Sequence, residues 1–125
     1  MISGHVNSRR EAVVSLVVRG PHGWEQEIEV VVDTGFSGQL TLPSDLIAEL
    51  RLPLLGQSRV VLGDGSVILC DVFDGSVLWG GRARQVNVEA ADTEPLVGMR
   101  MLHDHELAIQ VFPGGNVSIR LLLLS

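Results

Sequence analysis

One short segment constrains the fold more than any other: an apolar run that ends at an acidic residue, followed by a small polar residue and a glycine. Residues 28–32 read Ile-Glu-Val-Val-Val and are followed by Asp33, Thr34 and Gly35. A run rich in β-branched residues is typical of a strand, and Asp and Gly directly after it favour a tight turn. The pattern therefore predicts a buried strand that presents one carboxylate where the chain turns.

Short apolar runs separated by turn residues fill the rest of the chain and predict further strands. These strands are expected over residues 12–18, 24–32, 39–42, 59–62, 67–73, 84–89, 96–98, 106–112 and 116–124. A helix is predicted from an N-cap at Ser44 to about Leu50, and a single helical turn over residues 99–102. A chain of 125 residues without a linker is predicted to form one domain, residues 1–125.

Two later segments add to the triplet. The first is an Asp-Gly turn between two strand-like runs, which predicts a hairpin, and the second is an apolar pair that ends in glycine. They read Leu62-Gly63-Asp64-Gly65-Ser66-Val67 and Glu94-Pro95-Leu96-Val97-Gly98-Met99. The letters Asp-Gly-Ser-Val occur again at 74–77 and predict a second bend.

In order and spacing, these segments resemble the retropepsin-like (retroviral-type) aspartic proteases, and most closely the small predicted bacterial aspartyl proteases of clan AA. The resemblance rests on residues 31–38, 62–67 and 94–99 and extends from about residue 12 to residue 119. It implies a mostly β fold: a single-lobe, closed β-barrel with one or two short helices and a flap hairpin.

The resemblance also implies a catalytic role for Asp33. Two carboxylates about 3 Å apart share one proton, so that one deprotonates a water molecule while the other polarises the peptide carbonyl. The chain has one triplet, so a second copy must supply the second carboxylate. Thr34 is then expected to clamp the two turns together, Gly35 to point its N–H at the carboxylate, and Ser37 to support the outer carboxylate oxygen.

The expected function is thus a homodimeric aspartic endopeptidase whose substrate is an extended peptide. The remaining site residues implied are the flap, Gly63, Asp64, Gly65 and Ser66, and the second apolar element, Leu96, Val97 and Gly98. Two alternatives stay open: a non-catalytic peptide-binding or assembly module on the same fold, and an unrelated small β-barrel with an ordinary turn at Asp33. Oligomeric state discriminates between the endopeptidase and both alternatives, because a strict monomer cannot complete the pair.

Two polar clusters contain possible metal ligands, but we interpret one as a polar loop and the other as a solvated strand edge. His103 and His105, in the segment 103–106, share one face of a strand and could bind zinc, but no nearby pair of ligands completes the site. Glu25, Glu27 and Glu29 alternate along one strand, which is typical of a solvated edge. We therefore expect a polar loop at 103–106, no metal and no cofactor.

Charge and cysteine content exclude other function classes. The net charge is −6, with nine Arg and no Lys, which disfavours binding to nucleic acid or anionic membranes. Cys70 is the only cysteine, so no intrachain disulfide forms, and it is expected to be a small buried apolar residue.

The longest apolar run, residues 121–124, is too short to span a bilayer and is expected to help the chain dimerise. A cytoplasmic location is expected.

Overall fold

Runs of valine, isoleucine and leucine place most of the chain in strands. The computed structural model describes residues 1–123. Within them the strands are β1 (Ile2–Val6), β2 (Ala12–Arg19), β3 (Glu25–Val32), β4 (Leu40–Leu42), β5 (Leu54–Val61), β6 (Val67–Trp79), β7 (Arg82–Ala90), β8 (Leu96–Val97), β9 (His105–Ile109) and β10 (Asn116–Leu121). The two short helices are α1 (Ser44–Glu49) and α2 (Met99–Leu102).

The strands form one sheet that bends back on itself. The strand order is β5-β6-β7-β4-β8-β3-β2-β1-β10-β9, and an additional β2–β6 pairing joins six of these strands into a ring. The predicted mostly β, single-lobe fold with two short helices is confirmed. The barrel is less closed than expected, because β5 and β9 remain at the two ends of the strand order described for residues 1–123.

The core gathers side chains from most of the elements into one cluster. Side chains from the ring strands and from α2 are almost completely buried; these are Val18, Val30, Leu40, Leu42, Val77, Val86, Val88, Val97 and Met101. Burying a side chain of this size stabilises the fold by about 1.5–3 kcal/mol. The short strands β4 and β8 are thus held by their leucine and valine side chains, which gives the adjoining turns a rigid base.

The start of α1 differs from the prediction. Pro43 rather than Ser44 is the N-cap, and it makes no side-chain hydrogen bond to the helix. Ser44 is the first helical residue, and its N–H donates to Asp92 Oδ1 at 3.2 Å. The prediction of Ser44 as the cap was wrong because a carboxylate distant in sequence satisfies a free N–H of the first turn.

The predicted bend at 74–77 was also wrong, because these residues continue β6. Gly75 is present there for close packing: a Cβ at this position would lie 3.0 Å from Val88 Cγ2 and 3.5 Å from Leu52 Cδ1. Strand β1, in which Ile2 and Val6 alternate with polar residues, was not predicted. The predicted strand over 116–124 ends at Leu121, and residue 124 lies outside the described residues.

Within residues 1–123, neither helix has the length and the apolar character that a membrane crossing requires.

Candidate active site

The site is built where β3 and β8 end side by side. Val31 and Val32 pair in parallel with Leu96 and Val97. Directly beyond the pair, the Asp33 N–H donates to the Val97 carbonyl at 2.9 Å. Val97 is fully buried, so the backbone of the aspartate is fixed to a strand that belongs to the core.

The turn holds the Asp33 carboxylate by one oxygen. The Gly35 N–H donates to Asp33 Oδ1 at 2.9 Å, as predicted for this glycine. Such a bond to a charged acceptor is short and directional, and it fixes the orientation of the carboxylate. The Phe36 N–H closes the turn by donating to the Asp33 carbonyl at 3.2 Å. Asp33 Oδ2 has no hydrogen-bond partner within residues 1–123, so it is available to a water molecule or to a second carboxylate.

The turn rests on Gly98 and on the first turn of α2. The Met99 N–H donates to the Phe36 carbonyl at 2.8 Å, and the Arg100 N–H donates to the Gly38 carbonyl at 3.1 Å. A Cβ on Gly98 would lie 2.4 Å from the Gly38 oxygen and 2.5 Å from Phe36 Cδ2. Only glycine fits here, so the predicted second apolar element supports the Asp33 turn directly.

Thr34 and Ser37 are exposed on this turn. Within residues 1–123, neither hydroxyl makes a hydrogen bond to Asp33. Thr34 therefore faces outward from a single subunit, and its expected clamp across a dimer axis stays a prediction. The expected support of the carboxylate by Ser37 also stays a prediction.

The predicted flap is a long hairpin formed by β5 and β6. Its tip is closed by two backbone bonds, Leu62 N–H to the Ser66 carbonyl at 2.8 Å and Gly65 N–H to the Leu62 carbonyl at 2.9 Å. Gly65 has a φ of +85°, which favours glycine. Asp64 Oδ1 accepts the Ser66 hydroxyl at 2.6 Å and the Ser66 N–H at 2.9 Å, and these bonds lower the pKa of Asp64.

The arms of this hairpin leave apolar side chains uncovered. They are large residues on both strands and next to the tip, namely Leu54, Leu55, Val61, Leu62, Val67, Ile68 and Leu69. No hydrogen bond connects the hairpin tip to the Asp33 turn within residues 1–123. The hairpin and the turn are thus separate elements in one subunit.

Of the two histidines at 103–106, His105 makes hydrogen bonds within the fold. His105 Nε2 accepts the Trp79 indole N–H at 3.0 Å, and His105 Nδ1 lies 2.8 Å from the His103 carbonyl. Since an indole N–H can only donate, the hydrogen of this imidazole is on Nδ1. His103 is exposed in a turn. Among residues 1–123, no group of three or more possible metal ligands is found.

Sequence reasoning missed Glu89 at the end of β7. One of its carboxylate oxygens lies 3.2 Å from the position that a Cβ on Gly38 would occupy. The side chain is half-buried, and burial raises the pKa of Glu89. Cys70, expected to be buried, is also only half-buried, and its thiol donates to the Ala90 carbonyl at 3.2 Å. Nothing in the local sequence marks Glu89 as a site residue, because strand pairing alone brings it near Gly38.

Comparisons with known proteins agree with this geometry at the level of the fold. No family model and no curated protein sequence matches the chain. Among solved structures, the chain is similar to a retropepsin-like aspartic protease from Rickettsia conorii, with 15% sequence identity and a TM-score of 0.57. The alignment covers 95% of this chain and 89% of that chain. The chain therefore has the retropepsin-like fold that the sequence predicts.

Proposed function

We propose that this chain is an aspartic endopeptidase that acts as a homodimer, with Asp33 of each subunit forming the catalytic pair. The single observation that carries the proposal is the state of the Asp33 carboxylate. It stands at the end of a buried pair of strands, with one oxygen held by the Gly35 N–H at 2.9 Å and the other without a partner in residues 1–123.

The chemistry follows from bringing two such carboxylates together. Like charges about 3 Å apart cannot both ionise easily, so the pair holds one proton between them. The ionised member removes a proton from a bound water molecule, and the resulting hydroxide attacks the peptide carbonyl carbon. The protonated member donates a hydrogen bond to the carbonyl oxygen as it gains charge. The tetrahedral intermediate then collapses: the C–N bond breaks, and the carboxyl group that took the proton from water passes it to the leaving amine nitrogen. No covalent intermediate with the protein is required.

The dimer follows from the single triplet and the single lobe. A twofold axis near Asp33 places two copies of the same turn against each other. The exposed hydroxyl of Thr34 is available for a bond across that axis. A peptide bound in extended form would pair its backbone with strand edges near the site. The two hairpins around Asp64 would then cover the peptide and exclude water.

Location in the cytoplasm is part of the same proposal. Cys70 is a free thiol that donates to a backbone carbonyl. Burial is the main cause that raises the pKa of this thiol, which disfavours the reactive thiolate form. A fold that needs no disulfide is compatible with a reducing compartment.

The test compares cleavage of a peptide library by the wild type and by Asp33→Asn between about pH 3 and pH 8. Asparagine preserves the shape but cannot take part in the shared proton. Asp104→Asn is the matched control, because Asp104 lies in a turn with a φ of +65°, a conformation that asparagine adopts readily.

The proposal expects cleavage by the wild type and by Asp104→Asn, with a bell-shaped pH profile on the acidic side of neutrality, and no cleavage by Asp33→Asn. Equal cleavage by Asp33→Asn and the wild type would show that Asp33 is not catalytic. If none of the three proteins cleaves any peptide while the wild type still binds one, the non-catalytic peptide-binding module is the better account.

A further inference from the structure

The register of three strands places a set of side chains on one face of the sheet beside the Asp33 turn. Glu89 lies opposite Thr41 on β4 and opposite Val72 on β6. Residues directly opposite each other in a sheet project to the same face, and residues two apart along a strand do the same. Glu89 therefore shares a face with Cys70 and Val72, whereas Val88 projects from the other face into the core.

The carboxylate on this face reaches the candidate active site. Glu89 Oε1 lies 3.2 Å from the Cβ position of Gly38. Gly38 ends the turn segment that begins at Asp33, and its carbonyl is fixed by the Arg100 N–H at 3.1 Å. The Phe36 ring fills the place of a Gly38 side chain, since its Cζ lies 2.5 Å from that Cβ position, so Glu89 lies beside Phe36 and the end of the turn. The acidic group is thus a neighbour of the site and is not part of the catalytic turn itself.

Among the residues that the structure describes, this carboxylate has no partner of opposite charge. Within residues 1–123, Glu89 makes neither an ion pair nor a side-chain hydrogen bond, although it is half-buried. Its negative charge also acts on Cys70: burial is the first cause that raises the pKa of this thiol, and Glu89 is the second. A partly desolvated charge without a partner costs stability. A cation that arrives with a ligand would remove this cost.

We propose that Glu89 selects the substrate by pairing with an arginine or lysine side chain of a peptide bound next to the Gly38 end of the turn. The inference rests on the proposed peptide-binding function of the same site. Side chains of an extended peptide alternate, so one of them projects toward this face. An arginine fits best, since its planar guanidinium binds a carboxylate with two hydrogen bonds. The net charge of −6 would also attract a basic peptide from a distance.

The test uses peptide pairs that differ by one charge. Arginine is compared with citrulline, its neutral isostere, at each position around the cleaved bond or, if the library shows no cleavage, at each position of the library peptide that Asp33→Asn binds most tightly. The ratio of kcat/KM for the two peptides is measured for the wild type, for Glu89→Gln and for the control Glu27→Gln. Glu27 is an exposed glutamate of β3. A second measurement determines the Kd of each peptide for Asp33→Asn and for Asp33→Asn combined with Glu89→Gln, by fluorescence anisotropy.

At one position, the wild type and Glu27→Gln should favour arginine by roughly tenfold or more, since a hydrogen bond to a charged group contributes that much. Glu89→Gln should bring the ratio close to one, and the Kd ratio in the Asp33→Asn background should fall in parallel. Cleavage without a preference at any position, or a preference that survives in Glu89→Gln, would overturn the inference while leaving hydrolysis intact. A Glu89-dependent Kd ratio without any cleavage would support the inference and defeat the proposed hydrolysis. Absence of both cleavage and binding would overturn both.

Discussion

Replacing Gly98 by alanine is predicted to destabilise the protein and to displace the Asp33 turn. The added Cβ would lie 2.4 Å from the Gly38 oxygen and 2.6 Å from the Phe36 oxygen, where ordinary contact begins at 3.4 Å. The turn must therefore move by about 1 Å. Overpacking typically costs about 1–3 kcal/mol, and the upper part of this range applies because both oxygens belong to the backbone.

A smaller effect on the unfolded chain opposes this loss of stability. Gly98 has a φ of −107°, which alanine adopts without strain, so restricting the unfolded chain returns about 0.4–1 kcal/mol. The expected net decrease in the free energy of unfolding is thus about 2 kcal/mol. Because a displacement of about 1 Å near the chemistry can reduce the rate 100-fold, kcat/KM should fall by roughly that factor.

Urea unfolding of Gly98→Ala and of a matched control, Gly63→Ala, measures the decrease in the free energy of unfolding. In the described part of the chain, a Cβ on Gly63 meets no atom within 4 Å. The control is therefore expected to unfold within about 0.5 kcal/mol of the wild type. A Gly98→Ala protein as stable as this control would refute the argument that the turn is packed tightly against α2.

Three further perturbations test other parts of the account. Burial raises the pKa of Glu89 in the folded protein above its usual 4.5. The ionised carboxylate therefore destabilises the fold when the pH is above the folded pKa, and this cost disappears as the pH falls to the usual value. Glu89→Gln should thus stabilise the protein at pH 7 but not at about pH 4, as measured by urea unfolding at both pH values. His105→Ala removes the acceptor of the buried Trp79 N–H and should lower the free energy of unfolding by about 1–3 kcal/mol in the same assay, whereas replacing the exposed His103 should change it by less than about 0.5 kcal/mol. Deleting residues 121–125 should weaken self-association more than folding, as measured by light scattering across a concentration series together with urea unfolding; unchanged dimerisation would show that the tail only covers its own lobe.

The parts of the fold that could be predicted are those with strong local signals. An apolar run followed by Asp33 and Gly35 defines a strand and a turn within a few residues, and the N–H that binds the carboxylate belongs to the same turn. The flap tip is equally local, because Asp64 and Gly65 adopt a turn that their own side chains and φ angles favour. Short-range preferences of this kind need no knowledge of the tertiary structure.

The missed features depend on contacts between residues far apart in the chain. Asp-Gly at 64–65 forms a turn, whereas the same pair at 74–75 lies within β6, where Gly75 pairs with Val86 of β7. The same two-residue sequence thus adopts different structures, and its contacts in the folded protein determine which one forms. The position of Glu89 beside Gly38 and the bond between Trp79 and His105 likewise arise from strand pairing, which the local pattern does not specify.

The most direct test of the central claim, one catalytic site shared by two subunits, is the activity of mixed dimers. Equal amounts of wild type and Asp33→Asn are unfolded together and refolded so that subunits combine at random, and cleavage is compared with that of the same total amount of refolded wild type. If each site needs Asp33 from both subunits, only the dimers with two wild-type subunits are active, and the mixture should retain about one quarter of the activity. Retention of about one half would mean that each subunit carries its own complete site and would contradict the account.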